Sequence, residues 1–491
     1  MMVAVWGQIG KRLGMRFKTF TLGCKVNQYE TALIRQTFLA NGWTEESDFA
    51  LLDLALINTC SVTAESDAKS RKLASSLAKK APNARIAMLG CYAATDPAGA
   101  AALANVDYVV GDKRLLPEFF HRLGLDVLPD GIDSLGTRHR AYVKIQDGCR
   151  VGCAYCIIPT ARPYLASRSV ESILREVERL AEAGYREIVL TGIHLGHYGL
   201  DQDAAACGIE TNDLYCRHTA WNTPSPVCLR ETGVFLTAQR KSSRGIDLAG
   251  FLAARDATAP KERHNLTRLL QRLLAEKFPV RYRLGSLEAV ETPDELVDLI
   301  AESHGAVCPH FHLSMQSASD AVLKRMKRRW LSAPFFDRCE SIQRSIPGAS
   351  LTTDVIVGFP GETENDFLDS CRAVEHLAFA KTHIFRFSPR RGTVAELLDG
   401  QIPEPVKKER AARLEQIAEA ARLSYARTRI GKSAELLIEE FRSFGGNFYA
   451  LGTSETYLPA RTNQPDALAA APGTLLPIKV QSVDPDGTLV G

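Results

Sequence analysis

The 491-residue sequence has no long uninterrupted run of apolar residues. Even the apolar stretch Phe49–Ile57 carries Asp53, well short of the ~20 residues that span a bilayer. The first fourteen residues mix aromatic, amide and basic side chains in an order unlike a signal peptide, and Met15 offers an alternative start. We therefore expect a cytoplasmic protein with no membrane segment.

The chain also lacks an excess of either charge. Its 60 Lys and Arg residues stand against 57 Asp and Glu residues, a net charge of +3, so any nucleic-acid surface must be local. With 35 Gly and 23 Pro, the composition excludes collagen and low-complexity chains. At roughly 100–200 residues per domain, the length predicts about three domains.

Twelve cysteines are present without a secretion signal, so metal or cluster ligands are expected rather than disulfides. Three of them, Cys24, Cys60 and Cys91, each follow a predicted strand of segment 15–125, at intervals of 36 and 31 residues. Strands alternating with helices predict a doubly wound parallel sheet, whose strand ends share one edge. The three thiols should converge there; the alternative is three small buried residues.

Segment 138–393 alternates again and predicts a partial (β/α)6 barrel with its chemistry at the carboxyl ends of the strands. Its six strands are expected at Ala141–Gln146, Glu187–Thr191, Arg281–Gly285, His310–Leu313, Leu351–Val357 and Thr382–Phe387. An insertion at about residues 202–261 interrupts this rhythm. Its three thiols follow no metal-binding spacing and are expected to be incidental: Cys207, Cys216 and Cys228.

A helix at 406–430 precedes short strands that predict a small β-barrel over residues 431–491. From Lys407 to Lys432 the chain has eight basic and three acidic residues. Either a solvated helix face or an RNA-facing surface accounts for that excess. The same two alternatives hold for the basic run Lys324–Arg329.

The strongest motif is Cys149-x3-Cys153-x2-Cys156, directly after a predicted strand. Three thiolates in one short loop suit a metal centre. A structural zinc ion would need a fourth ligand, which His194 or His197 could supply. A four-iron cluster would instead keep one iron open for a substrate's donor atoms.

The remaining strand ends of this segment carry groups suited to holding a ligand near that loop. They offer close backbone approach, hydroxyls, carboxylates, an amide and an imidazole. These candidate cofactor-binding residues are Gly192, Ser286, Glu288, His312, Gln316 and Asp354.

Several motifs together resemble the radical S-adenosylmethionine (SAM) methylthiotransferases over nearly the whole chain. They are Gly23–Glu30, Asn58–Thr63, Gly90-Cys91, the Cys149 loop and Thr353–Thr363. The sequence Lys25–Tyr29 is most similar to that of the branch that acts on N6-threonylcarbamoyladenosine at position 37 of tRNA. Modest departures include Ser314, Ala318 and Trp330.

The resemblance implies an N-terminal cluster domain at 15–125, a radical-SAM domain at 138–393, a linking helix at 406–430 and a TRAM-like domain at 431–491. It implies an auxiliary 4Fe–4S cluster on Cys24, Cys60 and Cys91, and a radical-generating 4Fe–4S cluster on Cys149, Cys153 and Cys156. One SAM would donate a methyl group, and a second would yield the radical that removes hydrogen from C2 of the adenine.

The implied partners are a tRNA anticodon stem-loop and a low-potential electron donor of flavodoxin or ferredoxin type. Two enzyme alternatives remain at this point: a sister methylthiotransferase for isopentenyladenosine in tRNA, or one for a ribosomal-protein aspartate. A zinc-stabilised RNA-binding protein without catalysis is the alternative from another class.

Overall fold

The computed structural model describes residues 14–206, 214–215, 234–235, 246–247 and 265–491. Most of the predicted insertion, with Cys207, Cys216 and Cys228, lies outside these residues, so its incidental thiols stay a prediction. No helix within the described ranges is both long and apolar enough to cross a membrane.

The N-terminal part is a parallel sheet covered by helices on both faces, as predicted. Its strands are β1 (Arg16–Thr21), β2 (Thr44–Glu45), β3 (Leu54–Thr59), β4 (Arg85–Gly90) and β5 (Val106–Val110). The strand order is β5-β4-β3-β1-β2, all parallel. Its helices are α1 (Lys25–Ala40), α2 (Ala64–Lys80), α3 (Cys91–Thr95), α4 (Pro97–Ala101) and α5 (Leu116–Arg122).

Strand β3 shows why this sheet takes two helical layers. All six of its residues are buried, which is typical of a parallel strand covered on both faces. Leu54 and Leu56 pack with α1 and α5, whereas Ala55 and Ile57 pack with α2, α3 and α4. Because successive side chains of a strand point to opposite faces of the sheet, β3 contributes to two separate cores.

The central part contains the six predicted barrel strands within two residues of their expected ends. The six are β6 (Arg140–Asp147), β8 (Glu187–Gly192), β12 (Arg281–Leu284), β14 (His310–Leu313), β15 (Ser350–Val357) and β16 (Lys381–Arg386), and two short strands, β7 (Ala166–Ser167) and β13 (Ser286–Leu287), are added to them. They form two parallel runs, β12-β8-β6 and β13-β14-β15-β16, with β7 antiparallel on β6. Because β12 and β13 are separated only by Gly285, the runs follow each other around a partial (β/α)6 barrel.

Helices cover the outside of this barrel. They are α6 (Ile158–Ala161), α7 (Val170–Glu182), α8 (Leu200–Ala206), α9 (Leu266–Ala275), α10 (Asp294–Glu302), α11 (Asp320–Arg325), α12 (Ser332–Ser345) and α13 (Glu364–Leu377). The sequence predicts a helix over Glu364–Leu377, and α13 begins there because Thr363 and Asp366 form a capping box. Three two-residue strands lie between α8 and α9: β9 (Leu214–Tyr215), β10 (Val234–Phe235), which pairs with β5, and β11 (Ile246–Asp247), which pairs with β9.

Helix α14 (Glu404–Arg427) leads into a mixed sheet that curls into a half-barrel. Its elements are β17 (Ser433–Phe444), β18 (Asn447–Ser454), β19 (Pro459–Thr462), α15 (Pro465–Ala469), β20 (Leu475–Lys479), β21 (Ser482–Val483) and β22 (Leu489–Val490). The sequence predicts a strand over Ser433–Glu439, and β17 continues five residues beyond that end. A bulge between Ile438 and Glu440 shifts the alternation there, which hid the second half of the strand.

The half-barrel is joined to the amino end of the central barrel through buried arginines. Arg283, fully buried, donates to the carbonyls of Ser454 and Glu455, each at 2.9 Å, and pairs with Glu187 at 2.8 Å. Nearby, the ring of Tyr457 stacks on His310 with centroids 4.7 Å apart. The C-terminal part therefore builds the floor of the barrel.

Candidate active site

Cys149, Cys153 and Cys156 lie in one loop directly after β6, and all three are half-buried. The backbone of Ala154, inside this loop, donates to one neighbouring loop at 2.9 Å and accepts from another at 2.8 Å. A side chain at Gly148 (φ +81°) would collide with the backbone that follows the loop. These contacts fix three thiols at the carboxyl edge of the barrel.

The chemistry of these thiols suits a metal centre. Burial raises the pKa of Cys153 and of Cys156, and the negative charge of neighbouring cysteines raises both further. Buried neighbouring thiols become thiolates together only beside a positive charge. A cluster or metal ion bound by the loop would supply that charge.

Arg328 lies against this loop. Its Nη1 donates to Cys153 Sγ at 3.5 Å, and its Nη2 pairs with Glu288 and donates to Ser314 O at 3.1 Å. Trp330 Nε1 donates to the same Glu288 carboxylate at 2.9 Å. The Nε of Arg328 has no partner among the described residues. The loop is thus bordered by a fixed positive charge and a carboxylate.

His194 lies on the other side of the loop. Its Nδ1 is 3.7 Å from Cys149 Sγ, and its Nε2 is 2.5 Å from Glu291 Oε2. Burial lowers the pKa of His194, but Glu291 and Cys149 outweigh it and hold that pKa well above its usual value. Burial lowers the pKa of His197, stacked on His194 at 3.8 Å, to about 4. A protonated His194 can therefore donate to a Cys149 thiolate.

Cys24, Cys60 and Cys91 follow the carboxyl ends of β1, β3 and β4, as the topology predicts. Cys60 and Cys91 are buried and Cys24 is exposed. Gly23 (φ +99°) lies against them, because a Cβ there would be 2.9 Å from Cys60 Sγ. Burial raises the pKa of Cys91, Arg162 lowers it, and the charges of Cys24 and Cys60 raise it, as expected for three neighbouring thiols.

Arg162 connects the two cysteine groups. Its carbonyl accepts the Cys149 amide at 3.3 Å, and the positive charge of its side chain lowers the pKa of Cys91. The same guanidinium binds Glu30 at 2.9 and 3.0 Å and Asp147 at 2.7 Å. Helix α3, which begins at Cys91, packs on α6 beside the Cys149 loop. The two groups therefore face each other across the junction of sheet and barrel.

Comparison with known proteins decides the family. The model described as uncharacterized protein family UPF0004 matches residues 16–111, and the radical SAM superfamily model matches residues 143–224 and 257–374. A threonylcarbamoyladenosine tRNA methylthiotransferase, MtaB, of Bacillus subtilis (strain 168) is 32% identical, covering 89% of this chain and 88% of that protein. The chain belongs to the radical-SAM methylthiotransferase family.

Another relative in this family has a different printed substrate. A tRNA-2-methylthio-N(6)-dimethylallyladenosine synthase of Akkermansia muciniphila is 28% identical and covers 94% of this chain and 95% of that protein. Among solved structures, the radical SAM methyltransferase TsrM from Kitasatospora setae has a TM-score of 0.47 and 14% identity, covering 76% of this chain and 72% of that chain.

Membership of the methylthiotransferase family implies a 4Fe–4S cluster and SAM. The half-buried thiols of the Cys149 loop, flanked by the charges of Arg328 and His194, fit a cluster and a ligand beside it. Family membership also identifies the chain as an enzyme, which excludes the zinc-stabilised binding protein considered from the sequence.

The structure places the six candidate cofactor-binding residues on consecutive strands of the barrel, from β8 to β15. Gly192 ends β8, and Ser286 and Glu288 lie in or beside β13, toward the Cys149 loop. The other three lie on the next strands along the sheet, His312 on β14 in register with Ser286, Gln316 in the loop after β14, and Asp354 on β15. His312 Nε2 is 3.2 Å from Asp354 Oδ2, while Gln316 (φ +67°) pairs with β15 through its backbone.

Each of the two basic stretches contains residues that fit neither sequence expectation. On α14, Lys407 is buried and donates to Phe387 O at 2.9 Å, and buried Arg410 pairs with Glu362 at 2.6 Å. These two side chains therefore belong neither to a solvated helix face nor to an RNA-facing surface. In the run Lys324–Arg329, Arg328 lies inside the active site, which makes it neither a solvated helix end nor an RNA contact.

Sequence reasoning missed Arg162 and Arg328 as site residues. No local pattern distinguishes Arg162, since its partners lie up to 135 positions away. The sequence contains one indication for Arg328: an arginine that is buried near a tryptophan needs an acidic partner.

Proposed function

We propose that this chain transfers a methylthio group to C2 of N6-threonylcarbamoyladenosine at position 37 of tRNA. The observation that carries this proposal is the pair of cysteine groups facing each other across Arg162. The relative from Bacillus subtilis supports the tRNA substrate by its printed name. A radical source alone would need only the Cys149 loop, so the second group gives the sulfur a separate place.

The cofactor assignment follows this division. Cys149, Cys153 and Cys156 would hold the radical-generating 4Fe–4S cluster, and Cys24, Cys60 and Cys91 an auxiliary 4Fe–4S cluster. Of the six candidate cofactor-binding residues, Gly192, Ser286, Glu288 and Gln316 would hold SAM, whereas His312 and Asp354, which hydrogen-bond each other, are left for the substrate. When bound, these groups supply the electron, the radical that removes hydrogen from C2, and the methylated sulfur that replaces that hydrogen.

The chain's own residues hold and enclose these groups. Arg328, held by its ion pair with Glu288, places a positive charge beside Cys153. His194 places a positive charge beside Cys149. Such hydrogen bonds stabilise thiolates and shift the reduction potential of a cluster. Arg162 fixes the distance between the cysteine groups, because it is bound on both sides of the junction.

The domain assignment is part of the same proposal. Residues 15–125 form the methylthiotransferase cluster domain, 138–393 the radical-SAM domain, 406–430 the linking helix and 431–491 a TRAM-like RNA-binding domain. The anticodon stem-loop would lie against the last of these, and a cytoplasmic flavodoxin or ferredoxin would supply electrons.

The test uses the anaerobically reconstituted protein with SAM, a reductant and defined tRNAs. We expect 2-methylthio-N6-threonylcarbamoyladenosine, by nucleoside mass spectrometry, from tRNA that carries N6-threonylcarbamoyladenosine. The matched tRNA carrying isopentenyladenosine should give no methylthio product. Product from the isopentenyl tRNA alone would replace this proposal with the sister activity.

A further inference from the structure

The inner face of β14–β16 carries a polar cluster that the chemistry above does not use. His312, Asp354 and His383 bring their ligand atoms within 4.8 Å of one another. Their strand neighbours Phe311 and Val355 are buried in the main core, so strand alternation turns the cluster toward the barrel interior. His312 and Asp354 remain 16% and 24% exposed, which leaves them accessible to a ligand.

Lys25 enters the same interior from the N-terminal domain. Its charge acts on Asp354 and on His383, and its Nζ lies 5.7 Å from the ring centroid of Tyr457. In the part of the chain that the structure describes, Lys25 has neither a hydrogen bond nor an ion pair. A half-buried ammonium without a partner is costly, so an anionic ligand at this place would be stabilised.

The other cations of the barrel floor are already paired with carboxylates. Arg140 binds Glu439 at 3.0 Å, Arg281 binds Glu435 at 3.1 Å and Arg283 binds Glu187 at 2.8 Å. The three carboxylates compensate the charges of the three arginines. The pairs lie at the amino ends of the strands, below the histidine cluster. Two ammonium groups near the cluster thus lack a carboxylate partner among the described residues: exposed Lys381, whose charge also acts on His383, and half-buried Lys25, which is the one inside the barrel.

An aromatic surface completes the cluster. Phe385 follows His383 by two residues on β16 and thus lies on the same face of the strand, with 42% of its surface exposed. Exposed aromatic rings are the usual platform on which proteins stack a splayed-out RNA base. The interior thus offers a platform for a base next to a cation, a carboxylate and two imidazoles.

We propose that Lys25 binds the carboxylate of the threonylcarbamoyl substituent, while Asp354 accepts hydrogen bonds from its N–H or hydroxyl groups. This inference rests on the proposed function and names how its substrate is selected. The threonylcarbamoyl group carries one carboxylate, two N–H groups and one hydroxyl, which match this set. An isopentenyl group has no polar atom and would leave Lys25 and Asp354 unmatched, which a polar site rejects strongly.

The test compares stem-loops that differ at one group. Fluorescent anticodon stem-loops would carry adenosine, N6-threonylcarbamoyladenosine, or its analogue with the carboxylate replaced by a neutral carboxamide. The unmutated holoenzyme should bind the carboxylate form about ten- to a hundred-fold more tightly than the carboxamide form, the range of a charge-assisted hydrogen bond. Equal affinity for the two would overturn the proposal.

Variants assign this preference to Lys25. Lys25→Gln should bind both stem-loops equally, Lys25→Arg should restore part of the preference, and the exposed-lysine control Lys79→Gln should keep all of it. A preference that survives in Lys25→Gln would also overturn the proposal. Iron content is measured in each variant because Lys25 adjoins Cys24, and the comparison in the unmutated enzyme decides the question even if Lys25→Gln loses iron.

Failure of this inference is distinguishable from failure of the proposed function. Methylthio product from both the carboxylate and the carboxamide stem-loops, with equal KM, would overturn only the role of Lys25. Absence of product from any threonylcarbamoyl substrate would overturn the function itself. A stoichiometric metal other than iron that is lost in His383→Gln would assign the cluster to a metal and overturn the substrate site.

Discussion

The guanidinium group of Arg162 binds both carboxylate oxygens of Glu30, with Nη1–Oε1 at 2.9 Å and Nη2–Oε2 at 3.0 Å. Glu30 lies on α1 of the N-terminal sheet, and Arg162 directly follows α6 of the barrel. Lys144 and Lys113 also pair with Glu30, so the ion pair belongs to a buried network. This network joins the two halves of the candidate active site.

Removing the charge of Arg162 should therefore loosen the junction. We expect Arg162→Met to lower the free energy of unfolding by about 3–5 kcal/mol, because Glu30 and Asp147 would lose a buried partner. Chemical denaturation measures this change. The control Arg175→Met breaks the exposed pair with Asp130 and should cost less than about 1 kcal/mol. Equal effects of the two changes would contradict the structural role of Arg162.

The two cysteine groups should be separable by function. Reconstituted protein should contain about eight iron atoms per chain, and Cys153→Ala or Cys60→Ala should each retain about four. Cys153→Ala should abolish 5′-deoxyadenosine formation, because it removes a ligand next to the SAM pocket. Cys60→Ala should still cleave SAM with a strong reductant yet yield no methylthio product. Multiple turnovers by Cys60→Ala would refute the assigned division of labour.

Contacts to RNA are expected at the tip of the β17–β18 hairpin rather than on the inner face of α14. Phe444 and Phe448 are 45% and 52% exposed there, and Arg442 lies beside them. Phe448→Ala should weaken tRNA binding by about 1–3 kcal/mol through loss of base stacking. Leu128→Ala, an exposed apolar residue of another domain, should leave binding unchanged in the same filter-binding assay.

Charge reversal on α14 should act on folding instead. Arg410→Glu places a second carboxylate against buried Glu362 and is expected to destabilise the chain by about 3–5 kcal/mol. Exposed Lys408, two positions away, serves as the control, and Lys408→Glu should change the unfolding free energy by about 0.5 kcal/mol or less. Thermal unfolding of the two variants gives the answer, and similar melting curves would contradict it.

His310 should make stability depend on pH. Burial, followed by the charge of Arg283, lowers the pKa of His310 well below 6.5. The unfolded chain then binds a proton near pH 6.5 that the folded chain does not bind. The free energy of unfolding therefore falls as the pH drops below 6.5. The slope reaches about 1.4 kcal/mol per pH unit for one proton. Chemical denaturation should be measured between pH 7.5 and 5.5, about one pH unit on either side of the unfolded pKa. The free energy of unfolding of His310→Gln should depend less on pH than that of the unmutated protein, and an unchanged dependence would refute this origin.

Periodic patterns predicted the sheet, the barrel and the cysteine positions because each depends on local alternation. The strand ends at Cys60 and Cys91 follow from chain topology alone, and the structure places both there. Charge was harder to interpret, since a run of basic residues does not tell which side of a helix is covered. Lys407 belongs to a run that suited either a solvated helix face or an RNA-facing surface, yet it donates to Phe387 O, twenty positions away.

The stacking of Tyr457 on His310 has a consequence for the evolution of the C-terminal part. A half-barrel borrowed from an unrelated protein would bring a different loop to this place, leaving Arg283 and His310 without their cover. The C-terminal part is thus no exchangeable module. Recombination between relatives is expected to transmit it together with the barrel, as a matched pair.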